Sequence, residues 1–198
     1  MLNWTLDELL QECARNTYNQ TVMVKSGTAY SGQALEFATR FLSGINYAVG
    51  KIAREKYAPM TSETATLDMT GRIPITSLSN ACIRVFNVQD NYQNLDWTIE
   101  ESGCLFVPGY ASGIVNVSYS FIPPAFSFAD LNARLVFPYE IVDPHLVCQY
   151  ADYQFLIEDG TQDSFFKANF WLSLFNDGFS NINPTRGETQ RVTPVFTI

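Results

Sequence analysis

Hydrophobic and polar positions follow two different rhythms along this chain, and the change of rhythm divides it. Near the start Leu6, Leu9, Leu10 and Cys13 recur at helical spacing. Thr5 and Glu8 stand ahead of them as a T-x-x-E capping box, with Trp4 and Leu9 at the staple positions. A helix is predicted over residues 6–18, broken by TVMVKSGTAYSG. A second stripe, Leu35, Ala38, Phe41, Leu42, Ile45, Ala48, Val49 and Ile52, predicts a long helix over residues 33–57. Pro59 prevents it from running on.

From residue 64 to 124 the period drops from 3.6 to 2. TATLDMTGRIPI reads as strand, turn at Thr70–Gly71, strand. ACIRVFNVQ places Cys82, Arg84, Phe86 and Val88 on one face and Ile83, Val85 and Asn87 on the other. LDWTIEESGCLFVP holds two more short strands between the turns DNYQN and GYASG. IVNVSYSFIP is the clearest strand, with Val115, Val117, Tyr119 and Phe121 opposite Asn116, Ser118 and Ser120. Helical spacing then returns. Asp143–Pro144 opens a third helix and Gly160 ends it. Thr161 caps a fourth, dense in Phe165, Phe166, Phe170, Trp171, Leu174 and Phe175, which Asn176–Asp177–Gly178 is expected to end.

The fold class expected is therefore α+β: a four-helix bundle-like core with an inserted antiparallel β meander or sandwich, and an extended C-terminal tail. The helical core is assigned to residues 1–60 and 126–180, the β insert to 61–125, and the tail to 181–198. Residues 123–144 are long for a connector and are read as a loop that could contact a neighbouring subunit. In the tail, Arg191 and Thr193 separate the apolar Val192, Val195, Phe196 and Ile198, and Pro194 restricts a strand there to an edge. The preferred reading is an arm that adds to a partner's sheet or groove. A last strand on the chain's own β segment and a frayed end are the alternatives.

Composition sharpens this picture. Charged residues are only 16% of 198, against 14% aromatics, so apolar surface is expected to be covered by another subunit. The net charge is -8, distributed as +1 over residues 1–60, -5 over 61–130 and -4 over 131–198. That excludes a sequence-independent grip on nucleic acid, which needs clustered cations. Cys13, Cys82, Cys104 and Cys148 form no C-x-x-C pair and read as reduced thiols in apolar surroundings, which favours a cytosolic origin. MLNWTLDELL lacks the basic region of a signal peptide, and no apolar run reaches membrane-spanning length.

Candidate chemistry is sparse. A Ser-His-Asp or Cys-His site would need His145, which stands in a first helical turn beside Asp143 with Cys148 three residues on. A partly exposed polar residue is the plainer reading. Glu100–Glu101 and Glu158–Asp159 read as solvated charge, and DLNAR and DNYQN lack calcium-loop spacing. GYASG and SGTAYSG lack a phosphate loop's Lys or its context. Tyr92, Trp97 and Tyr110 near turns could stack on a sugar, although cross-strand packing is the commoner reason for such residues. No enzyme, cofactor or metal is expected.

The order of segments does carry a resemblance. INYAVGKIAREKYAPM (45–60), LDMTGRIPITSLS (67–79), IRVFNVQDN (83–91) and CLFVPGYASGIVNVSYSFIPP (104–124), followed by two aromatic-rich helices, resemble tailed-phage head–tail connector (adaptor) proteins. The resemblance spans about residues 1–180 and includes no catalytic motif. It implies a virion structural protein, assembled in the host cytoplasm and located at the head–tail interface. It further implies a homo-oligomeric ring, typically a dodecamer, docked on the portal protein. Such a ring extends a channel through which double-stranded DNA passes without sequence-specific binding, and carries stopper, tail or neck proteins. The helical part would build the ring, and the tail residues Arg191, Val192, Val195, Phe196 and Ile198 would reach the portal or a neighbouring subunit. The alternatives are another neck component, such as a collar or tail terminator subunit, and a carbohydrate-binding β module.

Overall fold

The computed structural model describes residues 3–91 and 93–183. The chain is an α+β fold with four helices and two small antiparallel sheets among these residues. They form two compact units, one of residues up to 57 together with 125–183, the other of residues 58–124.

The helical unit comprises α1 (Leu6–Asn16), α2 (Gly32–Glu55), α3 (Pro144–Asp159) and α4 (Gln162–Asn181). The capping box of α1 is complete: Glu8 N–H donates to Thr5 Oγ1 at 3.2 Å, and Thr5 N–H donates to Glu8 Oε2 at 2.7 Å. The helix stops two residues short of the predicted end. Thr17 turns its hydroxyl back to the Cys13 carbonyl at 2.8 Å, and Tyr18 takes a left-handed φ of 60°. In α2 the buried row begins at Ala34 and continues through Ala38, Phe41, Ile45, Ala48 and Ile52, while Leu35, expected on the inner stripe, is exposed. Pro144 at the first turn and Gly160 in the left-handed region bound α3 as expected. The predicted end of α4 at Gly178 is wrong, because the helix continues to Asn181.

The long connector over residues 125–143 packs on its own helical unit. Leu135, Phe137 and Val142 are buried in the core. The carbonyls of Ala133 and Leu131 accept from Leu6 N–H and Asp7 N–H at 2.8 and 3.0 Å, satisfying first-turn donors of α1 that have no partner within the helix. Asn46 fixes its start, exchanging two hydrogen bonds with the Phe126 backbone at 2.8 and 3.1 Å. Backbone pairing of this kind leaves no periodic side-chain signal, which is why the sequence pattern was silent over residues 126–143.

In the β unit the strands are β1 (Met60–Leu67), β2 (Arg72–Pro74), β3 (Ala81–Gln89), β4 (Thr98–Ile99), β5 (Cys104–Phe106) and β6 (Gly113–Ile122). The sheet orders are β1-β6-β3 and β2-β5-β4, so the arrangement is two sheets around one core rather than a sequential meander. β6 takes a central place because its inner face, Val115, Val117, Tyr119 and Phe121, is the most apolar. β1 begins at Met60, earlier than the period-2 signal, because its half-buried positions Thr61, Glu63 and Ala65 are small or polar. The alternation expected in β3 fails. Register shifts between Cys82 and Arg84 and between Val85 and Asn87 insert extra residues, so Val85 and Val88 are the buried ones. Gly71 holds the β1–β2 turn at φ +77°, where a Cβ would lie 2.3 Å from the Tyr110 carbonyl oxygen.

α3 packs against all three other helices and is buried on several sides, through Leu146, Val147, Cys148, Ala151, Asp152 and Phe155. Phe41 stacks on Phe155 at 4.3 Å, Tyr47 on Tyr150 at 4.6 Å, and Phe175 meets Tyr150 edge-on at 5.0 Å. Such ring pairs contribute about 0.5–1.5 kcal/mol each beyond the area they bury. The backbones of α2 and α3 come closest at Gly44, where an added Cβ would stand 2.6 Å from the Ala151 Cα. The Ala gain in helix propensity, about 1 kcal/mol, is smaller than the overpacking cost at such a contact. With a backbone atom in the way the overpacking cost lies near the upper end, about 3 kcal/mol, so Gly44→Ala is expected to destabilise the chain by about 2 kcal/mol net, read as a lower urea midpoint. An unchanged or raised midpoint would show that α2 and α3 can separate freely.

Candidate functional site

α4 is built from its cap upward. Gly160 turns the chain in the left-handed region, and Thr161 Oγ1 accepts from Ser164 N–H at 3.2 Å. From there the positions 164, 168, 171, 175, 178 and 182 form one row at heptad spacing. Ser164, Ala168, Phe175 and Ile182 in that row are buried. Gly178 belongs to it too: a Cβ there would meet Leu146 Cδ1 at 2.7 Å, so this glycine permits close packing rather than ending the helix. Phe179 stacks on Phe175 at 5.5 Å, under the ammonium groups of Lys51 and Lys56 at 5.1 and 4.9 Å from its ring.

Three other aromatic residues outside this row have no such cover. Phe165, Phe166 and Phe170 are 44%, 70% and 58% exposed, with Trp171 edge-on to Phe170 at 5.3 Å. At roughly 200 Å² for each side chain, they present on the order of 350 Å² of apolar surface. That is near the largest patch a typical monomer shows. Its burial would contribute roughly 9 kcal/mol gross, before association costs. The rest of the outer face, toward the C-terminal end, is polar: Ser173, Asn176, Asp177, Ser180 and Asn181 are exposed. The face holds no cluster that could do acid–base or nucleophilic chemistry. Its one ion pair, Lys167–Asp163 at 2.6 Å, lies along the helix surface.

The other sequence candidates are not brought together into a site. His145 is half-exposed, edge-on to Trp4 at 4.6 Å, with Nδ1 3.8 Å from Glu12 Oε1. Cys148 faces away from solvent and donates to the Leu9 carbonyl at 3.7 Å. Glu100 is held by Arg72 in a two-pronged contact at 2.7 and 2.8 Å, while Glu101 is exposed. Glu158 pairs with Arg40 at 2.8 Å, and Asp159 accepts from Ser164 Oγ. Trp97 and Tyr110 pack partly buried against the β core, and the Tyr110 hydroxyl donates to Asp90, so neither is a free platform for a sugar ring. Tyr92 and the tail residues Arg191, Val192, Val195, Phe196 and Ile198 lie outside the described residues. All four cysteines are free. Among the described residues no group of His, Cys, Asp and Glu could hold a metal ion, and no helix is long and apolar enough to cross a membrane.

One buried ionisable group went unread in the sequence. Asp152 is wholly buried in α3, on the same side as Cys148 and facing α1. Its Oδ2 accepts from Asn16 Nδ2 at 2.7 Å, while Oδ1 is buried without a hydrogen-bond partner. Loss of hydration holds its pKa well above the ordinary carboxylate range; Asn16 and Cys13 pull it down less, and the nearby Glu12 charge adds to the rise. The helical spacing from Cys148 to Asp152 to Phe155 was the available signal.

Comparison with known proteins finds no protein-family model that matches the chain, and no curated protein matches it.

A carboxyl whose pKa is raised on folding stabilises the protein below its ordinary pKa, and that contribution fades as pH rises toward its folded value. In urea unfolding from pH 5 to pH 8, the midpoint of Asp152→Asn relative to the native chain should rise steadily. A difference that stays constant across this range would show that Asp152 does not titrate abnormally.

Proposed function

We propose that the chain is a virion structural protein, a head–tail adaptor subunit that forms a homo-oligomeric ring beneath the portal and links the head to the neck or tail. The observation that supports this reading most is the aromatic outer face of α4. Large aromatic rings left in water on one stretch of a helix belong under protein, and Phe165, Phe166 and Phe170 lie outside the row that packs on the unit's own core. The exposed patch is smaller than the roughly 800 Å² each partner contributes to a standard interface, so it serves as the anchor of a wider contact. A net charge of -8 suits a ring whose channel must pass DNA without holding it. The tail beyond α4 supplies the arm that reaches the portal or the next subunit.

The test is assembly on portal particles of the same virion, followed by mass photometry and electron microscopy. The native chain is expected to form rings on the portal. Phe166→Asp/Phe170→Asp should keep its helical spectrum, since both residues are exposed, and lose ring closure. Deleting residues 185–198 should leave the fold intact and abolish docking. A chain that stays monomeric, ignores the portal and binds glycans would overturn the reading. Assembly into the neck without a direct portal cross-link would assign it to a collar or tail terminator role instead.

A further inference from the structure

β1 gives one side of its backbone to β6 and leaves the other open. Phe121 N–H donates to the Pro59 carbonyl at 3.0 Å, and Thr61 faces Tyr119 in the register. Bonded and non-bonded pairs alternate in an antiparallel ladder, so Thr61, Glu63 and Ala65 bond to β6. Ser62 and Ser118 form a non-bonded pair, where side chains come closest, and their hydroxyls meet at 2.6 Å. The amides and carbonyls of Met60, Ser62 and Thr64 therefore point away from the sheet, and all three residues are exposed. Among the described residues nothing pairs with them there. β2 lies beside only the far end of the strand, where Asp68 N–H donates to the Arg72 carbonyl at 3.0 Å. Natural sheet edges are blunted by a bulge, a proline, a lysine or a covering segment. The opposite edge of this sheet is blunted in that way: β3 has two register shifts and an exposed Arg84, and its Val88 carbonyl accepts from Leu95 N–H at 2.8 Å. β2 and β4, in the other sheet, have three and two residues. From Met60 to Thr64 β1 has no bulge, proline or lysine, and its one charge, Glu63, is held by Ser79 N–H at 2.9 Å.

We propose that this edge pairs with β1 of a second copy of the chain, antiparallel about a twofold axis at Ser62. β1 is the one long open edge among the described strands, so another copy can meet it only with its own β1. Pairing of like with like closes at two chains. In the register centred on Ser62, Met60 bonds with Thr64 of the second copy, and Ser62 bonds with its equivalent. Glu63 then lies across from Thr61 rather than from a second Glu63, so no like charges oppose each other. The hydroxyl row Ser118–Ser62 continues across the axis into the same row of the second copy, a favourable cross-strand pairing. A contact about 17 Å long and one strand deep buries on the order of 500 Å², below the roughly 1,200 Å² of a stable dimer, so the pair forms only at high concentration. β1 and α4 belong to different compact units, and this contact does not rest on the ring reading.

The test combines sedimentation equilibrium with residue-resolved hydrogen exchange on the full-length chain, from low micromolar concentration to the limit of solubility. A monomer–dimer equilibrium is expected. The Ser62 and Thr64 amides should exchange about tenfold more slowly once nine chains in ten are paired, while those of Thr61 and Glu63, already bonded within the sheet, stay unchanged. Thr64→Pro removes an amide that β1 does not use in its own sheet. It should keep the fold and raise the dimer dissociation constant at least about tenfold. A chain that is monomeric at every concentration overturns the proposal. So does a dimer that leaves the Ser62 and Thr64 amides unprotected, including one dispersed by Phe166→Asp/Phe170→Asp, or a dimer that a folded Thr64→Pro chain forms as tightly as the native one. If Thr64→Pro fails to fold, exchange at Ser62 and Thr64 in the native chain decides the matter.

Discussion

The helical unit depends on how closely its neighbours can approach α3. α2 meets α3 at Gly44 against Ala151, and α4 meets it at Gly178 against Leu146. At both points a single carbon would collide. Missing side chains let the helices close up, and larger residues fill the space beside them: Phe41 on Phe155, Tyr47 on Tyr150, Phe175 on Tyr150. α3 serves three neighbours, and α4 packs on it while leaving Phe165, Phe166 and Phe170 outside. The small-residue seam of α4 and its uncovered aromatics are two consequences of one arrangement.

The same economy appears in the polar groups. The connector spends backbone carbonyls on the first turn of α1, which ties it to its own helical unit. Asp152 sits where a neutral side chain would pack, and burial keeps it protonated well above the ordinary range. Neither feature resembles a reaction centre. What the outer face of α4 offers a partner is apolar area rather than charge.

Much of the architecture was legible because its signals are local. The α1 capping box, the Asp143–Pro144 start, the Gly160 stop and the inner face of β6 each depend on residues within one turn or one strand. What stayed hidden depends on partners far along the chain. Gly178 reads as a stop until Leu146 is seen against it, and the two bulges of β3 are set by pairing with β6. β1 begins early because pairing with β6, not apolar alternation, defines it. Of the α4 aromatics, Phe175 lies inside and Phe165, Phe166 and Phe170 lie outside. Nothing in the spacing alone singled out which ring would face which way.

The central claim is that the outer face of α4 is built to be covered by protein in the assembled particle. A cryo-electron microscopy map of the virion neck tests it directly. The account predicts density for this chain with Phe166 and Phe170 buried against protein from another subunit. A map in which the chain is present and both rings face solvent would contradict it.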